Sequence, residues 1–193
     1  MTKQSFSLIP FSAPDLPDVI VTGDISRQNN LLALHYSLAG KIEDVLLPSA
    51  SARPSRKDEL WKTTCFEFFL AVKDQPQYWE FNISPSGDWN AYYMHGYRRV
   101  GFREETSIQR LPFEVREEAG AFVLDIAVDL TPILRENQLL ELGVTAVIQT
   151  RDGNETYWAL AHPALQPDFH LRESFILALA GQTHPAPQSV PGS

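Results

Sequence analysis

A single cysteine among 193 residues leaves Cys65 without an internal disulfide partner. A chain of this length has no need of one, because it can bury a hydrophobic core of its own. Long apolar runs are missing as well, and no stretch approaches the roughly 20 residues of a membrane-spanning helix. The first twelve residues carry one Lys and an apolar stretch cut by Pro10, which is not the pattern of a secretory leader. The expectation is a cytoplasmic protein with no membrane partner. Cations are scarce: 16 Lys and Arg stand against 24 Asp and Glu, for a net charge of −8. A sequence-independent grip on nucleic acid needs clustered positive charge, so nucleic acid is not an expected partner. The one small basic cluster, Arg53 to Lys57, is followed at once by Asp58 and Glu59 and reads as a solvated loop. Enzyme signatures are also lacking, with no GxSxG, P-loop, GxGxxG, HExxH or cysteine-based zinc spacing. The expectation is a protein without catalytic residues and without a bound metal.

What the chain does have is punctuation and alternation. Fourteen prolines and ten glycines cut it into short segments, and most segments alternate apolar and polar residues with the period of two that marks half-buried strands. Leu32, Leu34, Tyr36 and Leu38 alternate after an Asn29-Asn30 turn. Phe66, Phe68, Leu70 and Val72 form a second set, and Trp79, Phe81 and Ile83 a third. The run Ser84-Pro85-Ser86-Gly87-Asp88 is a turn by composition, after which Trp89, Ala91 and Tyr93 complete a hairpin. Phe113 and Val115 lead through Glu118-Ala119-Gly120 into Phe122, Leu124, Ile126 and Val128. Further strands are expected over Leu140 to Ile148, Thr156 to Leu160 and Phe175 to Leu179. Only Thr131 to Glu136 reads as helical, with Thr131 as N-cap and Pro132 at the first helical position. Nine to eleven strands with no room for crossover helices predict an antiparallel all-β sandwich or barrel with at most one short helix. Residues 48–59 read as a long exposed loop forming a lid or rim. The domain is expected over residues 1–180, with 181–193 a disordered, proline-rich tail.

The densest chemistry lies between Leu60 and Gly101. If Phe66, Phe68 and Leu70 face the core, then Cys65, Glu67 and Phe69 face the other way, and on the next strand so do Glu80, Asn82 and Ser84. Glu67 and Asn82 therefore share one sheet face. Trp89, Tyr92, Tyr93, His95, Tyr97, Arg98 and Arg99 follow. Ring faces for stacking on a sugar, with carboxylate, amide and guanidinium groups for its hydroxyls, are what a carbohydrate site requires. Trp79 shares a face with Phe81 and Ile83 and reads as core. Glu67, set among large apolar neighbours, needs a partner or a raised pKa. An ion pair with Arg98 or Arg99 and a ligand contact both answer that need. Asp125 and Asp129 share a strand face, as do Glu80 and Asn82, spacings that also arise on solvated faces. Cys65 reads as an inert buried thiol.

The segments Leu60-Trp61-Lys62-Thr63-Thr64-Cys65-Phe66-Glu67-Phe68-Phe69 and Glu80-Phe81-Asn82-Ile83-Ser84-Pro85-Ser86-Gly87-Asp88-Trp89-Asn90-Ala91-Tyr92, with Trp158-Ala159-Leu160 and Pro167-Asp168-Phe169-His170, carry a resemblance. They resemble the DOMON-like proteins related to family 9 carbohydrate-binding modules. The resemblance implies an immunoglobulin-like or jelly-roll β-sandwich whose members bind sugars or, in other branches, haem. In the sugar-binding branch two aromatic rings sandwich the ligand and polar side chains hold its hydroxyls. Trp61, Trp89 and Trp158 are the candidate rings, and Glu67, Asn82 and Arg98 the candidate polar partners. Tyr92 and His170 complete the expected ligand-binding set. Haem would have to be held without covalent attachment, since no CxxCH motif exists, with Met94 and His170 or His162 as axial ligands. A non-catalytic module for a sugar or glycan-like small molecule is the leading expectation. A haem-binding domain and a structural protein that forms homo-oligomers through an apolar patch or sheet edge are the alternatives.

Overall fold

The alternation becomes register in the computed structural model, which describes residues 2–98 and 101–181. The expected tail, 182–193, with His184, lies outside the described residues, as does Arg99. Two antiparallel sheets face each other. The first is built from β1 (Thr2–Ser7), β3 (Val19–Gln28), β4 (Leu31–Gly40), β9 (Phe113–Glu118) and β10 (Ala121–Asp129), in the order β1-β3-β4-β10-β9. The second contains β2 (Ile9–Pro10), β5 (Cys65–Val72), β6 (Tyr78–Ile83), β7 (Trp89–Met94), β8 (Phe102–Glu104), β11 (Leu140–Gln149), β12 (Glu155–Ala159) and β13 (Leu177–Leu179). Its order is β2-β12-β11-β5-β6-β7-β8, with β13 also paired to β11. Among the described residues no helix is long and apolar enough to cross a membrane.

The inner faces meet in one apolar core, where burying each large side chain contributes on the order of 1.5–3 kcal/mol. Phe68 stacks on Phe81 at 4.4 Å within the second sheet, and Phe66 stacks on Phe122 of the first at 5.5 Å. Tyr36, fully buried on β4, reaches through this core and donates its hydroxyl to the backbone carbonyl of Glu67 at 2.6 Å. A buried hydroxyl must be satisfied, and this one ties the first sheet to the middle of the second. Gly23 shows how closely the first sheet is packed, because a Cβ there would stand 2.5 Å from the ring of Phe6, its partner on β1.

Two segments differ from the sequence reading. Residues 131–136 form a single turn instead of a helix: the Thr131 N–H donates to the Asp129 carboxylate at 2.9 Å, and Leu134 N–H returns to Leu130 at 2.8 Å. The helix does not continue because side chains take its carbonyls. Asn30 donates to Leu134 O at 3.0 Å, and the buried Arg27 guanidinium donates to the carbonyls of Arg135, Glu136 and Gln138. The basic cluster in the 48–59 loop is likewise not simply solvated. Arg56 lies 4.2 Å over the Trp89 ring and donates to Asn90, Glu104 and the carbonyls of Glu105 and Ile108, while Lys57 pairs with the buried Asp88 at 2.8 Å. This loop is a clamp on the β6–β7 turn.

Candidate functional site

The outer face of the second sheet holds the site. Register puts Glu67 of β5 opposite Asn82 of β6, and Phe69 opposite Glu80, with Tyr92 of β7 next across. On the other flank Thr145 and Gly143 of β11 stand opposite Glu67 and Phe69, and Val147 stands opposite Tyr157 of β12. Such a face would usually be wet. Here a second apolar cluster of Phe69, Ala71, Tyr78, Tyr92, Met94 and Phe175 covers one end of it, with Phe169 packed alongside. Gly143 makes that cover possible, since a Cβ there would meet the Phe175 ring at 2.9 Å.

What remains open is a recess of about 480 Å³. Its floor carries Glu67, Phe69 and Glu80. One wall is aromatic: Trp61, from the 3-10 turn Leu60–Lys62, meets Tyr92 edge-on at 6.1 Å, and Phe102 does so at 5.7 Å. Trp61 is 37% exposed and Phe102 63%, so both offer surface to a ligand. The Tyr92 hydroxyl is fixed by donation to Asp58 at 2.8 Å. The opposite wall comes from Tyr157 and from Pro167, Phe169 and His170. Across the rim, Asp168 accepts hydrogen bonds from Tyr97 at 2.6 Å and from Arg98 at 3.0 Å, joining the loop after β7 to the loop after β12.

Electrostatically the floor is unusual. Glu67 and Glu80 are 3% and 6% exposed. Burial and the neighbouring Glu80 carboxylate push Glu67 well above the ordinary range, against weak help from the Thr145 hydroxyl at 3.3 Å. Burial pushes Glu80 up to about 7, opposed by the Asn82 amide at 2.8 Å and by Arg98 nearby. Burial, with Arg98, lowers His170 to about 4, although Asp168 acts in the other direction. The ring is therefore neutral at pH 7. Its Nδ1 faces the Tyr78 hydroxyl at 2.9 Å and its Nε2 faces Glu80 at 4.0 Å.

Of the eight side chains expected to contact a ligand, Trp61, Glu67, Tyr92, Arg98 and His170 line this recess. Asn82 is fully buried beside Glu80, with its Oδ1 unpaired. Trp89 and Trp158 sit on the inner face, 9% and 3% exposed, within the main core. Trp89 alternates with Ala91 and Tyr93, so its inward direction follows from the pleat. Trp158 donates to Thr156 at 2.9 Å, and its neighbour Tyr157 is the residue that turns outward. A one-residue step on a strand changes the face. Trp79 is in the core as expected, donating to Glu105 at 3.1 Å. Arg98 is committed to Asp168, so the ion pair expected between it and Glu67 does not form. Phe69, Glu80, Phe102, Tyr157 and Phe169 complete the recess. The alternation already placed Phe69 and Glu80 on this face, but no local signal marks Phe169 or Phe102.

Of the residues expected for haem, His170 sets Nδ1 against the Tyr78 hydroxyl with Nε2 4.0 Å from Glu80, and it lines the recess together with Met94. His162, facing the Ile9 carbonyl at 2.9 Å, does not join them. Asp125 and Asp129 do not converge either: the first is held by His35 and Arg116, the second by the Thr131 N–H. Among the described residues no cluster of three or more His, Cys, Asp or Glu could hold a metal ion.

No family model and no curated protein matches the chain. Solved structures do. A candidate carbohydrate-binding protein from Bacteroides uniformis aligns over 92% of this chain and 85% of its own, with a TM-score of 0.68 at 13% identity. A family 9 carbohydrate-binding module from Caldicellulosiruptor kristjanssonii in complex with cellotriose aligns over 97% of this chain and 87% of its own, at TM-score 0.55 and 11% identity. The fold is the two-sheet β-sandwich of these structures. A family 9 carbohydrate-binding module from Caldicellulosiruptor kristjanssonii in complex with glucose gives a TM-score of 0.54 at 9% identity, covering 93% of this chain and 84% of its own. At these identities the family 9 likeness establishes the two-sheet architecture, and the chemistry has to be read from the recess itself.

Proposed function

We propose that this chain is a non-catalytic carbohydrate-binding module whose recess takes a small sugar by ring stacking and hydrogen bonding. One observation carries the reading: an open recess of about 480 Å³, within the size range of small-molecule sites, joins exposed rings to buried carboxylates on one sheet face. The fold adds support, because solved modules of this architecture are described in complex with cellotriose and glucose. Trp61 and Phe102 supply stacking surface, with Tyr92 behind them. Glu67, Glu80, Arg98 and His170 supply acceptors and donors for hydroxyls. Asn82 fixes Glu80 from below, while Trp89 and Trp158 stiffen the sheet from inside. Binding of this kind needs geometry and no bond making. Isothermal titration of the full chain with glucose, cellotriose and a panel of other mono- and oligosaccharides tests it. A saturable heat that weakens about tenfold in Trp61→Ala is expected, a stacking contribution near 1.4 kcal/mol. Absence of heat with every sugar would overturn the reading.

A further inference from the structure

The charges around the recess are distributed unevenly. The lining cations already have partners: Lys62 pairs with Glu59 at 2.6 Å and Arg98 with Asp168 at 3.0 Å. Among the described residues the floor acids have no such ion pair, although Arg98 lies near enough to act on Glu80. Glu80 receives the Asn82 amide at Oε1, but its Oε2 stands 4.0 Å from His170 Nε2, beyond hydrogen-bond reach, and makes no hydrogen bond among the described residues. That side chain is more than nine-tenths buried and lines the recess. Glu67 lies on the neighbouring strand, where among the described residues the Thr145 hydroxyl and the Cys65 thiol are its side-chain hydrogen-bond partners. At the rim Glu155 accepts from the Tyr157 hydroxyl at 3.0 Å and has no ion pair among the described residues. Three carboxylates thus line one space, and the two described cations that line it with them, Lys62 and Arg98, are paired with Glu59 and Asp168.

We infer that the sugar preferred by this recess carries a protonated amine, with its ammonium seated against Glu80 and Glu67; this preference rests on the carbohydrate reading and narrows its ligand class. Neutral sugar hydroxyls can donate to these oxygens but leave two close carboxylates uncompensated, so one of them has to keep a proton. An ammonium removes that conflict. It brings three donors and a compact positive charge, and it enters a space walled by Trp61, Tyr92 and Phe102, whose ring faces attract cations. Paired with a ligand charge, both acids ionise, and the buried pair becomes a recognition element.

Titration calorimetry of the full chain at pH 7 with glucosamine, glucose and N-acetylglucosamine tests the assignment. Glucosamine should bind at least tenfold more tightly than glucose, and N-acetylglucosamine, which has lost the charge, no more tightly than glucose. Glu80→Gln should erase the preference, so that glucosamine binds that variant no more tightly than glucose binds the same variant, and Glu67→Gln should reduce it. The comparison of three ligands on the unaltered chain stands even if a variant fails to fold. Equal or weaker binding of glucosamine relative to glucose would overturn the amine assignment and leave the carbohydrate reading intact. No binding by any of the three, or by the wider sugar panel, would overturn both.

Discussion

The two outer faces of the sandwich are built by the same rule and treat their acids in opposite ways. On the first sheet Asp125 accepts from His35 at 2.7 Å and from Arg116 at 2.5 Å. Slight burial raises its pKa, but these two hydrogen bonds outweigh that and hold the carboxyl below its usual range. Lys3 and Asp24 pair at 3.0 Å on the same sheet. On the second sheet Glu67 and Glu80 are buried with no cation in hydrogen-bond contact among the described residues, and burial shifts both upward. The alternation that makes both faces is indifferent to this outcome. The difference comes from what lies above each sheet: solvent over the first, and over the second the loop bearing Phe169, His170 and Phe175, which excludes water. A sheet face becomes a site when something covers it incompletely.

The largest test of this contrast is packing. Phe69→Ala should cost about 3–5 kcal/mol in denaturant unfolding, since Phe69 is 1% exposed and meets Tyr78, Phe169, His170 and Phe175. Ile20→Ala on the first sheet, where Ile20 is 61% exposed, should stay within about 0.5 kcal/mol. Similar losses at the two positions would end the distinction.

Next comes pH. Glu80 rises from an ordinary value of 4.5 to about 7 in the fold, so across that interval the native state holds a proton that the unfolded chain has released. Stability from this group falls as pH rises, by up to about 1.4 kcal/mol per pH unit. His170 drops from 6.5 to about 4, so the unfolded chain holds the extra proton there and stability rises with pH between those values. The two oppose each other between pH 4.5 and 6.5. Glu80→Gln should therefore lift one downward contribution over that window and lessen the loss from 6.5 to 7, with Glu67, also shifted upward, still contributing in the downward direction. An unchanged profile would show that the buried acid is not protonated in the fold.

A smaller effect separates the two rims. Phe102→Ala should weaken sugar binding several-fold with a melting temperature close to that of the parent, because Phe102 is 63% exposed. Full affinity in that variant would remove its ring from the site. The smallest effect belongs to the first sheet. Asp125→Asn should cost less than about 1 kcal/mol, shrink further in roughly 1 M salt, and leave sugar binding untouched. A loss of binding there would mean that the two faces are not independent.

Alternation read along the chain was enough to predict the sandwich and the shared face of Glu67 and Asn82, because a strand's period is two whatever its partners are. It served less well where inward positions are not apolar. The inner set of β3 is Val19, Val21, Gly23, Ile25 and Arg27, and a glycine under the Phe6 ring plus an arginine caged by carbonyls hide the pattern. The aromatic residues were visible, but which ones face outward depends on parity. Trp89 and Trp158 fall on the inner parity, whereas Tyr92 and Tyr157 fall on the outer. Phe169 and His170 reach the recess only through tertiary folding of a loop; the family resemblance drew Pro167 to His170 in, but no periodicity in that segment does.

The bond from Tyr36 to the Glu67 carbonyl has a consequence for engineering. The wall-forming loops can be copied onto another scaffold, but the position of the acidic floor is set from the far side of the molecule. A transplant that moves the rim alone would recreate an entrance over misplaced chemistry. Whoever redesigns this recess has to carry both layers together.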